Sequence, residues 1–290
     1  MSLSIGIVGL PNAGKSTLFN SLVKNNLANA QNYPFCTIDP NVGIVSVPDK
    51  RLQVLFNIVK KNYPSSDSKI ISATVKFVDI AGLVKNAHKG EGLGNQFLAH
   101  IRETDLIVML LRVFPDENII HVNSKIDPKD DMETLITELE LSDLEVKENS
   151  IKLADKPKIY VANCSSDQLD KSPVNFGLPE NTLLINAQTG ESVDKLIKTA
   201  YVKLNLITFF TAGPVEIHAW TCEKGATAPM AAGKIHTDFQ HGFIRAEIIA
   251  YDDYIRYNGE NGAKQNGKLR VEGKDYQIQD GDVVHFRHSS

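Results

Sequence analysis

The stretch Gly9-Leu10-Pro11-Asn12-Ala13-Gly14-Lys15-Ser16-Thr17 decides how the rest of the chain is read. It has the spacing of a phosphate-binding loop: glycine, four residues, glycine, lysine, then serine or threonine. The apolar run Ile5-Gly6-Ile7-Val8 leads into it, and Ser16 to Val23 leaves it with helical spacing, so the loop is expected between a strand and a helix. The residue types supply the chemistry. Gly9 and Gly14 let the backbone curl until successive amides over Asn12, Ala13, Gly14, Lys15, Ser16 and Thr17 face one phosphate. The positive end of the following helix adds to that field. Lys15 is expected to neutralise β- and γ-phosphates, and the Ser16 hydroxyl to hold Mg²⁺.

The chain has 290 residues, 42% of them hydrophobic and 23% charged, which is ample for one large domain or two ordinary ones. A net charge of −4 gives no bulk sign of nucleic-acid binding. Cys36, Cys164 and Cys222 are far apart and read as free thiols of a reducing compartment. The first strand begins directly after Met1-Ser2-Leu3, leaving no room for a signal peptide, and no apolar run approaches membrane-spanning length. A cytoplasmic protein without membrane contact is expected.

Further along, Val42 to Val47 reads as a strand, and Pro48-Asp49 opens a helix burying Leu52, Leu55, Phe56, Ile58 and Val59. The strand Thr74-Val75-Lys76-Phe77-Val78 ends in Asp79-Ile80-Ala81-Gly82, the aspartate–x–x–glycine pattern of a nucleotide switch. There Asp79 reaches Mg²⁺ and the Gly82 amide senses the γ-phosphate. Leu83 follows, where many GTPases carry a water-orienting glutamine, so slow hydrolysis or another positioning group is expected. His88, in the glycine-rich loop after it, is the best placed of the loop histidines, ahead of His236 and His241. Arg102 and Arg112 read as ion-pair residues more than as phosphate ligands.

Gln96 to Arg102 reads as a helix and Leu106 to Leu111 as a fully buried strand. An acidic helical stretch runs from Asp131 to Leu153, with Leu135, Leu139, Leu144 and Ile151 as its apolar positions. Strands Ile159 to Ala162 and Leu183 to Ala187, then a helix from Val193 to Leu204, complete a doubly wound, mainly parallel α/β domain over residues 1–205. A shortened helical insertion falls around 130–156. Beyond Leu206 helical periodicity gives way to short alternating strands at Val215 to Trp220, Phe243 to Ile248 and Val283 to Phe286. Residues 206–290 are therefore expected to form a small mixed β domain, and its 9 Lys+Arg against 11 Asp+Glu give it no nucleic-acid footprint.

Together these phrases resemble the YchF family, the Obg-like ATPases. Gly9 to Thr17, Pro34-Phe35-Cys36-Thr37-Ile38, Asp79 to Lys85 and Lys89 to Asn95 look like its nucleotide loop and two switches. Phe210-Thr211-Ala212-Gly213, Gly225 to Pro229 and Gly233 to Phe239 look like its ubiquitin-like TGS β-grasp domain. The resemblance implies a ribosome-associated ATPase with a regulatory role in translation or stress responses, touching RNA only as part of the ribosome, and monomeric. It makes Thr37 the switch Mg²⁺ ligand and accounts for an apolar residue at 83. Two departures stand out. Relatives carry a long coiled-coil arm that is missing or reduced to a stub here. Their base-recognition motif, Asn-x-x-Glu, reads Asn163-Cys164-Ser165-Ser166 here, followed by Asp167.

Guanine needs a carboxylate accepting from N1–H and the 2-amine, which Ser166 cannot supply. Asn163 suits N6 and N7 of adenine, and backbone groups near Ala187 are expected to add discrimination. ATP with Mg²⁺ is the expected ligand, and a GTP-preferring enzyme, with Asp167 brought in by a loop shift, is the alternative. A nucleotide-dependent binding module that does not hydrolyse is a further alternative. A small-molecule kinase lacks its arginine lid.

Overall fold

The computed structural model describes residues 3–24, 41–80, 93–116, 125–144 and 151–289, without the side chains of 93–97. The chain divides into two units: Met1–Val45 with Val75–Leu204, and Ser46–Thr74 with Asn205–Ser290.

The first unit is built on the strands β1 (Ser4–Val8), β2 (Val42–Ser46), β4 (Thr74–Asp79), β5 (Leu106–Arg112), β6 (Lys158–Asn163) and β7 (Leu183–Ile185), in the order β2-β4-β1-β5-β6-β7. From β4 to β7 every neighbouring pair is parallel. Ile5 lies opposite both Phe77 and Leu106, so β1 is the central strand, and it is buried along its length. The seven residues of β5 are all buried too, as a continuous apolar run flanked by strands on both edges requires. Parallel strands turn all their carboxyl ends to one edge. Val8, Asp79, Arg112, Asn163 and Ile185 therefore end side by side, and the loops that follow them meet there. Helices Lys15–Lys24, Leu93–Arg102, Pro128–Leu144 and Val193–Lys203 provide the connections.

The acidic helix differs from expectation. It runs Pro128–Leu144 and buries Leu135 and Leu139, but Leu144 and Ile151 are 80% and 66% exposed. Five residues past Leu139 is about 140° around a helix, so Leu144 faces away from the buried stripe. Where the helix ends, the Asp143 carboxylate accepts from the N–H groups of Leu153 (2.9 Å) and Ala154 (2.8 Å) and from Arg102 (2.9 Å), which brings the chain straight back towards β6.

The second unit has the order β11-β10-β12-β8-β9-β3, from β3 (Lys69–Ile71), β8 (Leu206–Ala212), β9 (Glu216–Glu223), β10 (Phe243–Ile249), β11 (Arg270–Glu272) and β12 (Val283–His288). The first and last long strands, β8 and β12, are parallel neighbours at its centre, each with an antiparallel partner outside. Helix Ala228–Ile235 packs Ala228, Ala231 and Ala232 against Phe209, Cys222 and Phe286. This is a β-grasp. A boundary at 205/206 leaves out Ser46–Thr74, which the structure groups with the C-terminal residues. Its strand β3 adds to β9 in parallel, Ile70 opposite Ile217, and its helix Arg51–Asn62 buries Leu52, Leu55, Ile58 and Val59, while Phe56 stays half-exposed. Among the described residues no helix is long and apolar enough to cross a membrane.

Candidate nucleotide site

The phosphate-loop residues sit between β1 and helix Lys15–Lys24, where the loops after the parallel strands converge. Two of its glycines are dictated by their surroundings. A Cβ on Gly9 would stand 2.6 Å from the Leu110 carbonyl oxygen of β5. Gly14 has φ +94°, and a Cβ there would stand 2.3 Å from the Asn163 side-chain nitrogen. Asn12 adopts a left-handed φ of 63°, which asparagine tolerates better than most residues. The Lys15 ammonium donates to the carbonyls of Gly9 (3.1 Å) and Leu10 (3.0 Å), clasping its own loop. Burial lowers its pKa, and the Asp79 charge opposes that shift.

Ser16 and Asp79, chosen from the sequence as metal ligands 63 positions apart, come together: the Ser16 hydroxyl donates to Asp79 Oδ2 at 3.2 Å. A hydroxyl and a carboxylate oxygen are hard donors, and Mg²⁺ commonly takes one or two carboxylates with phosphate and water completing its shell. This pair fits that ion. No group of three or more His, Cys, Asp or Glu suited to a metal occurs among the described residues. Thr37, Gly82, Leu83 and His88 lie outside the described residues.

The base side departs from the sequence reading. Asn163, expected to meet N6 and N7 of adenine, is 4% exposed and already bonded at both ends of its amide. Its nitrogen donates to the Ala13 carbonyl (3.0 Å), and its oxygen accepts the Ala187 N–H (3.0 Å). The two groups chosen as base readers thus bond to each other, and one hydrogen and one lone pair of the amide remain. Asp167 lies in the exposed turn Ser166–Gln168, with its carboxylate on the Ser165 hydroxyl, which holds its pKa below the ordinary range. The Ser166 hydroxyl is engaged by Asn186 and Glu191.

Asn12, Gly14, Lys15, Ser16, Thr17, Asn163, Cys164, Ser165, Asn186 and Gln188 line one cavity of about 660 Å³, closed on another side by Phe114, Pro115 and Asp116. That is the size of an ordinary small-ligand site. Sequence reasoning missed the Phe114–Asp116 wall and its support. Arg112, 1% exposed, donates to the carbonyls of Phe114 (3.3 Å) and Asp116 (3.1 Å) and lies 4.5 Å over the Phe114 ring. A surface or interdomain ion pair is the expectation for it from the sequence, and its burial excludes the surface position. Arg102 does pair, with Asp143. Burial pushes the Cys164 thiol up to about 11 and Cys222 up to about 12, so neither is a reactive thiolate. Exposed His236 accepts from the Asp238 N–H at the start of a short helix, a capping role.

Residues 4–164 match the family model of a 50S ribosome-binding GTPase, and residues 206–289 match that of the YchF GTPase C-terminal domain, described as a protein of unknown function (DUF933). A Haemophilus influenzae protein named ribosome-binding ATPase YchF is 42% identical, over 99% of this chain and 99% of its own length. The chain belongs to the YchF family. A Bacillus subtilis YchF of the same name is 41% identical with the same coverage. The solved structure of the Schizosaccharomyces pombe YchF GTPase matches with a TM-score of 0.83 at 31% identity, over 99% of this chain and 98% of that one. Family membership makes the chain a P-loop nucleotide hydrolase. The alignment to the Haemophilus YchF runs over 367 positions against 290 residues here, so at least 77 positions of that YchF face no residue of this chain. Only 13 residues separate Leu144 from Lys158, which leaves no space for a long arm after the acidic helix.

Proposed function

We propose that this chain is an ATP-binding, slowly hydrolysing nucleotide switch that associates with the ribosome. The observation that carries this reading is that Lys15 and Ser16, the latter hydrogen-bonded to Asp79, form one wall of a cavity whose other walls are the loops after β5, β6 and β7. Backbone amides of the glycine loop and the Lys15 ammonium bind the triphosphate, and Ser16 and Asp79 hold Mg²⁺. Mg²⁺, when bound, neutralises charge developing on the β- and γ-phosphate oxygens. Preference for ATP is supported by the ATPase name of the relatives, and by a serine where a guanine-reading carboxylate would stand. Ribosome association is supported by the names of the relatives and of the matching family model.

The test is isothermal titration with ATP and GTP side by side in Mg²⁺. ATP should bind about tenfold more tightly, equivalent to about 1.4 kcal/mol. Lys15→Ala should lose tight binding of either nucleotide while the protein stays folded. An unchanged affinity in that variant would sink the assignment of the site.

A further inference from the structure

Ser166, the last position of the base-recognition motif, forms a connected pair beside the cavity with Glu191, which neither the resemblance nor the spacing of motifs singles out. The polarity of each hydrogen bond in it is fixed. The backbone N–H groups of Gln188 (3.0 Å) and Thr189 (3.1 Å) both donate to the Asn186 side-chain oxygen. That sets the orientation of the Asn186 amide, so its nitrogen is the atom facing Ser166 Oγ at 3.0 Å. Ser166 therefore accepts from Asn186, and its single proton goes to Glu191 Oε2. Thr189 Oγ1 donates to the same carboxylate oxygen at 2.7 Å.

What remains is lopsided. Ser166 Oγ keeps one lone pair and no proton, and Glu191 Oε1 has no partner among the described residues. The hydroxyls of Ser166 and Thr189 hold the exposed Glu191 carboxyl below the ordinary range, so it is ionised at neutral pH. The backbone donors of the loop after β7 are spent internally: Ala187 N–H on Asn163, Gln188 and Thr189 N–H on Asn186, and Gly190 N–H on the Asn186 carbonyl. Asn186 and Gln188 line the cavity, so the two acceptors left on Ser166 and Glu191 stand beside it.

We infer that the Ser166–Glu191 pair determines base specificity, accepting from the 6-amino group of adenine and turning away the 6-oxo group of guanine. This rests on the ATP reading above. An amino hydrogen meets the free lone pair of Ser166 and the free carboxylate oxygen. An oxo group brings its lone pairs against the same two acceptors, with no backbone N–H of Ala187 to Gly190 left to receive them.

The test is isothermal titration in Mg²⁺ with ATP, GTP and purine riboside triphosphate, which lacks the 6-amino group, on wild type, Glu191→Gln and Glu191→Ala. Circular dichroism checks that these exposed-site variants fold. Wild type should bind ATP about tenfold more tightly than the analogue, as loss of one hydrogen bond to a charged acceptor predicts. Both variants should bring the ATP and GTP affinities within a few-fold of one another: alanine frees the Ser166 proton to meet an oxo group, and glutamine puts a donating amide nitrogen where the free carboxylate oxygen stood. Wild type preferring GTP would refute the ATP reading itself. Wild type preferring ATP, with the ratio unchanged in both variants, would overturn the role of Glu191 and leave that reading intact. An analogue bound as tightly as ATP would overturn it as well.

Discussion

The side-chain amide of Asn163 joins the phosphate loop, 150 positions away in sequence, to the loop after β7. It does so under Gly14, whose missing side chain leaves the room. The two residues are one packing unit, and each predicts the other's behaviour. Gly14→Ala places a Cβ against the amide and forces a left-handed φ on a residue that resists it by about 1–2 kcal/mol. Nucleotide affinity should collapse and the melting temperature should fall by several degrees. Calorimetry and a thermal scan check both, and a variant that binds normally would show that the loop tolerates the displaced amide. Asn163→Ala removes no backbone constraint but strands the Ala13 carbonyl and the Ala187 N–H. It should cost about 2–3 kcal/mol in chemical denaturation, the range for buried polar groups left unpaired.

Among the elements, the helix Pro128–Leu144 shows how the chain does without an arm. Asp127 Oδ1 accepts the Asp130 N–H and Pro128 takes the first helical position, so the start is conventional. The end is held by the Asp143 carboxylate, 7% exposed, on two backbone N–H groups and Arg102. Burial alone would raise the Asp143 pKa, but Ala154, Leu153 and Arg102 outweigh it and hold the carboxyl below the ordinary range. A depressed carboxyl stabilises the fold fully above its unfolded value, about 4, and loses that contribution as pH falls through the folded value. Asp143→Asn should therefore be less stable than wild type by about 2 kcal/mol at pH 7, the range for charge-assisted hydrogen bonds. The gap should narrow steadily below about pH 4. Urea titrations at pH 7 and pH 3 check this, and a gap that persists at pH 3 would mean that charge is not what Asp143 contributes.

On the scale of the whole molecule, the shortened chain keeps both units of the family while losing at least 77 aligned positions. If the nucleotide unit and the β-grasp unit suffice for partner binding, the protein should co-sediment with ribosomes, and Lys15→Ala should erase any dependence of that binding on ATP. Failure to co-sediment under both nucleotide conditions would assign ribosome contact to the missing arm. Turnover should be slow, below about 1 s⁻¹, because Leu83 cannot orient water. Leu83→Ala should keep that rate and His88→Ala should lose it, as a phosphate-release assay would show. A fast wild-type enzyme would contradict the argument from residue 83.

The sequence by itself determined the order of elements in the nucleotide unit, the parallel sheet and the phosphate loop. Those features are written locally, in apolar runs, glycine spacing and helical periodicity. It also named Ser16 and Asp79, since each belongs to a short pattern whose chemistry is specific. Only the tertiary structure decided that Asn163 and Ala187 satisfy one another, that Arg112 is buried beneath the Phe114–Asp116 wall, and that Ser166 gives its proton to Glu191. It also decided that Lys69–Ile71 completes the second sheet, drawing Ser46–Thr74 into the C-terminal unit. A three-residue strand has no period to read, and a hydrogen bond closed across 20 to 150 residues leaves no local trace. Buried polar groups must find partners wherever the fold brings donor and acceptor together, and that choice belongs to the folded chain.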